Sequence, residues 1–301
     1  MQSSTFFDKY SQQLEYLHTL GQYQDKHNFI CPICLKEFDN TSVNSLSLED
    51  VPQYALGGHK RLLTCKECNN LMGHRIDCHL INYIDAIEKR DFPDGLKSPV
   101  LVRPADTDLV VNGIITSEKG EFKLLIADKC NDPKKLKALD GVDVNSIISV
   151  QFKDTQSKRI PQNIISAILK NAYLILLEKF GYTFLLNKYY DDIRRKIILP
   201  AEAHFSYNEY ISLSDHSVIE DGIYFVNEPK LKGYFVQYTI AKIKQYKCVV
   251  FIPLPIMDYF QVVNELNTLK INMLGIKVKR INNDLDCFCS LDYIISRAPI
   301  I

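Results

Sequence analysis

Residues 31–34 read CPIC and residues 65–68 read CKEC, and these two Cys-x-x-Cys pairs decide how the N-terminal part of the chain folds. Zinc in a structural site takes four soft ligands in a tetrahedron, and each Cys-x-x-Cys turn can supply one edge of it. A single pair could equally be a redox dithiol or two buried thiols, but a second pair favours a metal. The spacing predicts a zinc ribbon with these ligands: Cys31, Cys34, Cys65 and Cys68.

The composition describes an ordinary globular protein of 301 residues, with 46% hydrophobic and 24% charged residues and a formal net charge of zero. No apolar run approaches the ~20 residues that a membrane span needs, and the first residues, MQSSTFFDKY, lack a basic segment followed by an apolar one. An odd number of cysteines and a thiolate site fit a reducing compartment. We therefore expect a cytoplasmic protein without a membrane partner.

Hydrophobic periodicity predicts an α+β fold in which a zinc-ribbon N-terminal domain precedes a mixed helical and β C-terminal region. Helices are predicted at 5–24 and 68–89, then from Pro161 to a stop at Gly181, over YYDDIRRKIILP before Pro200, and at 258–269. Short strands are predicted within 99–127 and again after 221. The expected domains are 1–97, 98–200 and 201–301, the last without an assigned role.

Residues 28–80 resemble an HNH endonuclease of the type whose ββα-metal unit is built on a zinc ribbon. The motifs that carry this resemblance are, in order, CPIC, LEDVP, LGG, LTCKECNN and DCHL. In that family an acidic residue and a histidine end the first strand, a Gly-Gly loop leads into the second strand, and the second zinc knuckle runs into the helix. The resemblance is specific over about a fifth of the chain and loose beyond it.

The resemblance implies metal-dependent hydrolysis of DNA phosphodiester bonds. Its catalytic cation, Mg²⁺ or Mn²⁺, would be held by the carboxylate of Glu49 and the amide oxygen of Asn69, both hard donors. The zinc would be structural, since anchoring Cys68 fixes Asn69 relative to the strands.

Asp50 departs from the family pattern, because related nucleases place a histidine there as the general base. An aspartate with a reference pKa of about 3.9 is a weaker base than an imidazole near 6.5, and losing a general base typically costs ~10²–10⁴ in rate. Three explanations stay open. The chain recruits His59 or His74 as a natural variant, the nuclease has decayed to a binding module, or the substitution was introduced to trap an inactive state.

Basic residues beside the predicted site give modest support for DNA as a partner: Lys60, Arg61, Lys66 and Arg75. Residues 1–97 nevertheless hold 10 Lys and Arg against 13 Asp and Glu, whereas residues 153–196 hold 9 against 4. Phosphate contacts are therefore expected also from the second stretch, with Lys158, Arg159, Arg194 and Arg195 prominent. A solvated helix face explains that stretch equally well.

A zinc-stapled interaction protein is the rival interpretation. The ribbon would then be purely architectural, and the C-terminal region would bind a protein partner or a small ligand. Such a protein needs neither Glu49 nor Asn69. A metal site shared by Glu49, Asp50 and Asn69 would favour the nuclease, and side chains turned apart would favour the rival.

Overall fold

The chain divides into two compact units, one formed by Met1–Ile81 with Ile160–Ile301 and the other by the inserted segment Asn82–Arg159. This computed structural model describes residues 3–24, 28–104, 107–126, 128–139, 147–153, 161–202, 210–214, 219–254, 257, 259–272 and 278–281. Helices and strands are mixed in it, as predicted for an α+β fold. The division departs from the predicted boundaries at 97/98 and 200/201, because segments before and after the insertion share one core.

The first unit opens with one helix and two short strand pairs that lead into a second helix. These elements are α1 Ser3–Thr19, β1 Phe29–Ile30, β2 Glu37–Phe38, β3 Leu46–Val51, β4 His59–Cys65 and α2 Lys66–Met72. On α1, four of the side chains at helical spacing are buried: Phe7, Tyr10, Leu14 and Leu17. Tyr10 meets the Phe29 ring edge-on at 5.5 Å, so α1 covers the strand that precedes the first cysteine pair.

The predicted helix at 68–89 exists but is interrupted by a π-helical turn, Gly73–Asp77, between α2 and α3, Cys78–Asp91. Such turns insert one residue into an α-helix and redirect the side chains around it. Here Asp77, a charged residue, is buried at 6% exposure. The sequence period alone did not predict this interruption.

The second unit contains an antiparallel sheet with strand order β7-β6-β5-β8 among its described residues. Its elements are β5 Lys97–Pro104, β6 Val111–Glu118, β7 Glu121–Ile126, α4 Pro133–Leu139 and β8 Ile147–Phe152. Val100, Val102 and Val111 form its core. The short strands predicted within 99–127 are therefore confirmed.

A central buried helix follows the insertion in the first unit: α5, Pro161–Phe180, with every residue from Ser166 to Leu177 buried. It ends at Gly181, as predicted, where φ is +61° and a Cβ would lie 2.3 Å from Oε1 of Gln13. Two short helices come next, α6 Tyr182–Leu185 and α7 Asp191–Ile198. No helix in the described part of the chain is both long and apolar enough to cross a membrane.

The last described part of the first unit is an antiparallel sheet of order β13-β10-β11-β12-β9 with one further helix. Its elements are β9 Ile211–Ser214, β10 Gly222–Glu228, β11 Leu231–Ala241, β12 Gln245–Pro253, α8 Tyr259–Asn272 and β13 Lys279–Arg280. The buried hydroxyl of Tyr238 on β11 donates to the Ile168 carbonyl of α5 at 2.9 Å. This sheet therefore packs on the same helix that lies under the N-terminal hairpin.

Candidate metal centre and buried charge cluster

The four predicted cysteines lie together in the folded chain, with all four Sγ atoms within 4.8 Å of one another. Sγ of Cys34 and Sγ of Cys65 are 3.8 Å apart. A tetrahedron with zinc–sulfur bonds of ~2.3 Å has edges of about 3.8 Å, so this separation suits one zinc ion. The group can therefore hold a metal ion such as zinc, as predicted from the spacing.

Backbone amides support the sulfur atoms. The Cys65 amide donates to Sγ of Cys31 at 3.4 Å, and the Cys68 amide donates to Sγ of Cys65 at 3.3 Å. Hydrogen bonding from the Cys31 thiol lowers the pKa of Cys65 to about 7 and also lowers the pKa of Cys34. Hydrogen bonds within the same group raise the pKa values of Cys31 and Cys68, so without metal two thiols favour the thiolate and two hold their protons. Zinc binds the thiolate form, so its binding would release the remaining protons.

The β3–β4 hairpin carries the predicted acidic pair at an irregularity in its ladder. Glu49 pairs with Leu62 and Asp50 pairs with Lys60, so Arg61 is an extra residue opposite the step between the two acids. Bulges of this kind often lie beside functional sites because they redirect side chains. Glu49 is buried at 5% exposure, whereas Asp50 is half-buried.

The tight loop between β3 and β4 requires a glycine at position 58. A Cβ on Gly58 would lie 1.5 Å from the carbonyl oxygen of Pro52, so the backbone leaves no space for any larger residue there. Gly58 is thus required for the chain to return into β4 directly after Leu56 and Gly57.

Asn69 lies in the first turn of α2 and is attached to the opposite strand. Its Nδ2 donates to Oγ of Ser47 at 2.9 Å and to the Leu48 carbonyl at 3.3 Å. The helix itself starts at Lys66 because Sγ of Cys65 caps the Cys68 amide. The second cysteine pair therefore fixes Asn69 against β3, next to the acidic pair, with Oδ1 as the atom that a hard cation would use.

A buried ion cluster lies beneath the hairpin. Nζ of Lys170, in the middle of α5, is 2.8 Å from Oε1 of Glu49 and 2.6 Å from Oδ2 of Asp77, and its side chain is 1% exposed. Burial would lower the pKa of Lys170, but the carboxylates of Asp77 and Glu49 outweigh it and raise that pKa. The lysine is therefore held as an ammonium between two carboxyl groups.

Neutral side chains complete the hydrogen bonds of this cluster. Gln53 donates through Nε2 to Oδ1 of Asp77 at 2.6 Å and exchanges hydrogen bonds of 3.3 Å with the Asn171 amide. Thr64 donates to Oε2 of Glu49 at 3.3 Å. Burial raises the pKa of Asp77 despite the nearby Lys170. One ammonium faces two carboxyl groups, so it does not fully compensate both charges. The carboxyl group of Asp77 therefore holds a proton more readily than a free aspartate.

The predicted role of Glu49 as a ligand of the catalytic cation stays a prediction, and in this geometry its carboxylate already has partners within the chain. Both of its carboxylate oxygens accept hydrogen bonds from the chain's own donors, Lys170 and Thr64. A divalent cation at Glu49 would compete with the ammonium of Lys170 for that carboxylate. The other carboxylate at this end of β3, Asp50, is half-buried, and burial raises its pKa while Lys60 opposes that effect.

The two histidines named as substitute bases differ in position. His59 is exposed at the start of β4, opposite Val51 in the ladder, and lies close enough to act electrostatically on the carboxyl of Asp50. His74 is exposed on the π-helical turn, where its carbonyl accepts from Sγ of Cys78 at 3.0 Å. The structure therefore brings His59 close to the acidic pair. No contact described for His74 links it to that pair.

The predicted nucleic-acid contacts separate into surface and buried groups. Lys60, Lys66 and Arg195 are exposed, and Arg75 is exposed but donates to the Ile198 carbonyl at 2.8 Å. Nε of Arg61 is 2.9 Å from Oε2 of Glu178, an ion pair without hydrogen-bond alignment. Lys158 and Arg159 lie outside the described residues.

The expectation for Arg194 is wrong. Its guanidinium is buried at 4% exposure and donates to the Tyr173 hydroxyl at 3.1 Å and the Leu185 carbonyl at 2.9 Å, with Asp191 as its ion partner. Adjacent positions of a helix point about 100° apart, so one arginine of the pair can face the core while the other faces solvent. Arg194 is thus a structural residue.

Lys170, Asp77, Gln53 and Asn171 were missed by the sequence reasoning as site residues. One signal was present: Lys170 and Asn171 interrupt the apolar run IISAILKNAYLILL. A charged residue in a fully buried helix needs an opposite charge, and only the folded chain shows that Glu49 and Asp77 supply it.

No model of a known protein family matches this chain, and no curated protein or solved structure matches it either. The functional inference therefore rests on the geometry of the cysteine cluster, the hairpin and α2.

Proposed function

We propose that the first unit is a zinc-stapled ββα unit of the HNH endonuclease type, which hydrolyses phosphodiester bonds of DNA with a divalent cation. One observation carries this proposal: the β3–β4 hairpin runs directly into α2 through Cys65 and Cys68, and Asn69 is bonded back to β3 beside the acidic pair. Asn69 is thereby held against Ser47 and Leu48, the residues that precede the acidic pair on β3. The zinc would hold this arrangement in shape.

The ligands for a divalent cation in this proposal are those that the resemblance implies, the carboxylate of Glu49 and Oδ1 of Asn69, and the cation would compete with the ammonium of Lys170 for Glu49. Mg²⁺ and Mn²⁺ prefer such oxygen ligands and retain water or substrate in their other positions. A bound cation supplies charge stabilisation at the phosphate. Asn69 orients the site from a helix whose start is fixed by sulfur, while Lys60 beside Asp50 attracts phosphate.

Cleavage is expected to be slow. Asp50 stands where an imidazole would accept a proton from the attacking water, and a carboxylate with a reference pKa of about 3.9 is a weaker base at neutral pH. His59 is the histidine described near Asp50 and is the candidate replacement base. A raised pKa of Asp50, caused by burial, lessens the mismatch with neutral pH without removing it.

The second candidate function is a zinc-stapled module that binds nucleic acid or a protein partner without cleaving. The observation favouring it is the ion pair of 2.8 Å between Lys170 and Glu49. An internal ammonium then neutralises the acid that the nuclease family uses for metal. The hairpin would keep its shape and its exposed basic residues without a catalytic cation.

Relaxation of supercoiled plasmid in Mg²⁺ or Mn²⁺ tests the first proposal, with Asn69→Ala compared against Asn70→Ala. The neighbouring asparagine is exposed on the same helical turn and makes a matched control. We expect slow nicking by the wild type and by Asn70→Ala, and a loss of about 10²-fold in Asn69→Ala, the size of effect for a group positioned in the site.

Equal nicking by both variants would assign the activity to another site. If no protein nicks plasmid but the wild type retards DNA in a gel, the binding module is correct. Zinc content is measured on the same samples. A variant that has lost activity but keeps its zinc has lost a catalytic ligand, whereas one without zinc has lost the structural site.

A further inference from the structure

A cleft of about 490 Å³ opens in the first unit beside the start of β4. It is lined by residues of α1, the hairpin, α5 and the β10–β11 strands, including Lys9, His59, Arg61, Glu178, Asp221 and Thr239. Val51 and Pro52, directly after Asp50, also form its wall. His59, the candidate replacement base, is therefore part of the wall, and the end of the strand that carries Asp50 contributes to it.

Charges in the cleft leave an excess of positive groups. The Glu178 carboxylate is ion-paired with Arg61 at 2.9 Å. The Asp221 carboxylate is 2.9 Å from Nζ of Lys247 and also accepts the Thr239 amide at 2.9 Å. Both acids of the wall are thus neutralised by the chain itself.

Lys9 supplies the unbalanced charge. It is exposed on α1 and, within the described ranges, no carboxylate pairs with its amine. His59 also lines the cleft, is exposed and can add a second donor. An amine and an imidazole facing one cavity recognise an oxyanion better than a neutral or cationic group.

We propose that this cleft binds the phosphate of a nucleotide-sized ligand, either a free mononucleotide or the terminal nucleotide of a single strand. The volume falls within the ~300–1,000 Å³ of small-ligand sites, whereas a DNA duplex could not enter a cavity of that size. The nucleic-acid source rests on the proposed nuclease function. The phosphate chemistry itself depends only on the charges of the cleft.

Fluorescence anisotropy of a short single strand, labelled at its 3′ end and carrying either a 5′-phosphate or a 5′-hydroxyl, tests this site without any catalytic cation. We expect the phosphorylated strand to bind more tightly to the wild type and to weaken about tenfold in Lys9→Gln, the loss of one charge-assisted contact. Lys188→Gln is the matched control, since Lys188 is exposed elsewhere in the first unit. Its affinity should equal that of the wild type.

A competition experiment distinguishes the two sources of the phosphate, a free mononucleotide and the terminal nucleotide of a single strand. Displacement of the strand by a mononucleotide supports the shared site, and Lys9-dependent binding of a mononucleotide with no binding of the strand assigns the free nucleotide. Equal binding of both strands by the wild type and Lys9→Gln, or no binding of any phosphate compound, overturns the inference. Lys9-dependent binding together with an inactive plasmid assay would retain this site and reject the nuclease proposal.

Discussion

Lys170 connects the two chain segments that form the first unit. Its ammonium contacts Glu49 on β3 and Asp77 on the π-helical turn, residues far apart in sequence, from the centre of a buried helix. Removing one member of a buried ion cluster leaves the others unpaired in a low-dielectric environment, which costs far more than the intact cluster contributes. The cluster therefore fixes how α5 meets the hairpin.

Lys170→Met should lower the free energy of unfolding by about 3–5 kcal/mol, because two buried carboxylates lose their counter-ion. Urea denaturation followed by circular dichroism measures this, with Lys188→Met as the exposed control. The triple variant Glu49→Gln, Asp77→Asn, Lys170→Met should recover much of the loss, since no buried charge then remains. A loss no larger than that of the control would mean that the cluster does not stabilise the fold.

The free energy of unfolding of Lys170→Met should depend on pH in a defined direction. The pKa of Asp77 is already raised by burial, and removing Lys170 raises it further. A raised carboxyl pKa means that the native state holds the proton more tightly than the unfolded state, so stability increases as pH falls. The difference in free energy of unfolding between wild type and Lys170→Met should therefore become smaller as the pH falls from 7 toward about 3.9, the pKa of an aspartate in the unfolded state.

At the residue scale, the sequence predicted that the four cysteines lie together but did not predict the buried ion cluster around Lys170. Cys-x-x-Cys spacing reports a local turn, so its geometry is encoded within a few residues. The partners of Lys170 depend on how α5 packs against β3 and on the π turn that directs Asp77 inward, and neither is local. Arg194 failed as a predicted surface contact for the same reason.

At the scale of elements, α2 depends on the cysteine cluster at two points. Cys65 caps its first turn, and Cys68 lies one turn later with its amide bonded to Sγ of Cys65. Zinc bound there contributes folding free energy directly. The helix, and with it Asn69, should therefore be ordered only when the metal is present.

Cys65→Ser should lose zinc and reduce hydrogen-exchange protection in residues 28–80. The damage should not be confined to that range, because the Ile30 amide donates to the Tyr182 hydroxyl at 2.8 Å and Tyr173 donates to the Pro32 carbonyl at 3.1 Å. Loosening should therefore extend to α5 and α6, while Asn82–Arg159 keeps its protection. Cys130→Ser, at an exposed cysteine of that inserted unit, is the control and should retain both zinc and protection.

Elements with a strong period were predicted well, and their interruptions were not. α1 and α5 follow from apolar spacing and from the stop at Gly181. The break between α2 and α3 leaves no mark in the hydrophobic pattern, since GHRID is compatible with a continuous helix. The helix predicted at 5–24 also ends earlier than expected: Leu20 lies beyond the end of α1 and is 44% exposed.

At the scale of the molecule, the sequence predicted the α+β class but not the division of the chain. Residues after 160 return to complete the core begun by residues 3–81, and that return is set by long-range contacts such as Tyr182 with Ile30 and Lys170 with Glu49. A boundary drawn from local composition cannot detect such an insertion. The nuclease interpretation depends on this core, because α5 supports the hairpin from below.

Introducing the missing base tests the central claim most directly. Asp50→His would place an imidazole with a pKa near neutrality at the end of β3, where the HNH resemblance puts the general base. Plasmid cleavage in Mn²⁺ should then rise on the order of 10²-fold over the wild type, with zinc content and unfolding midpoint unchanged. No gain in cleavage by a folded, zinc-loaded Asp50→His protein would contradict the nuclease proposal and favour the binding module.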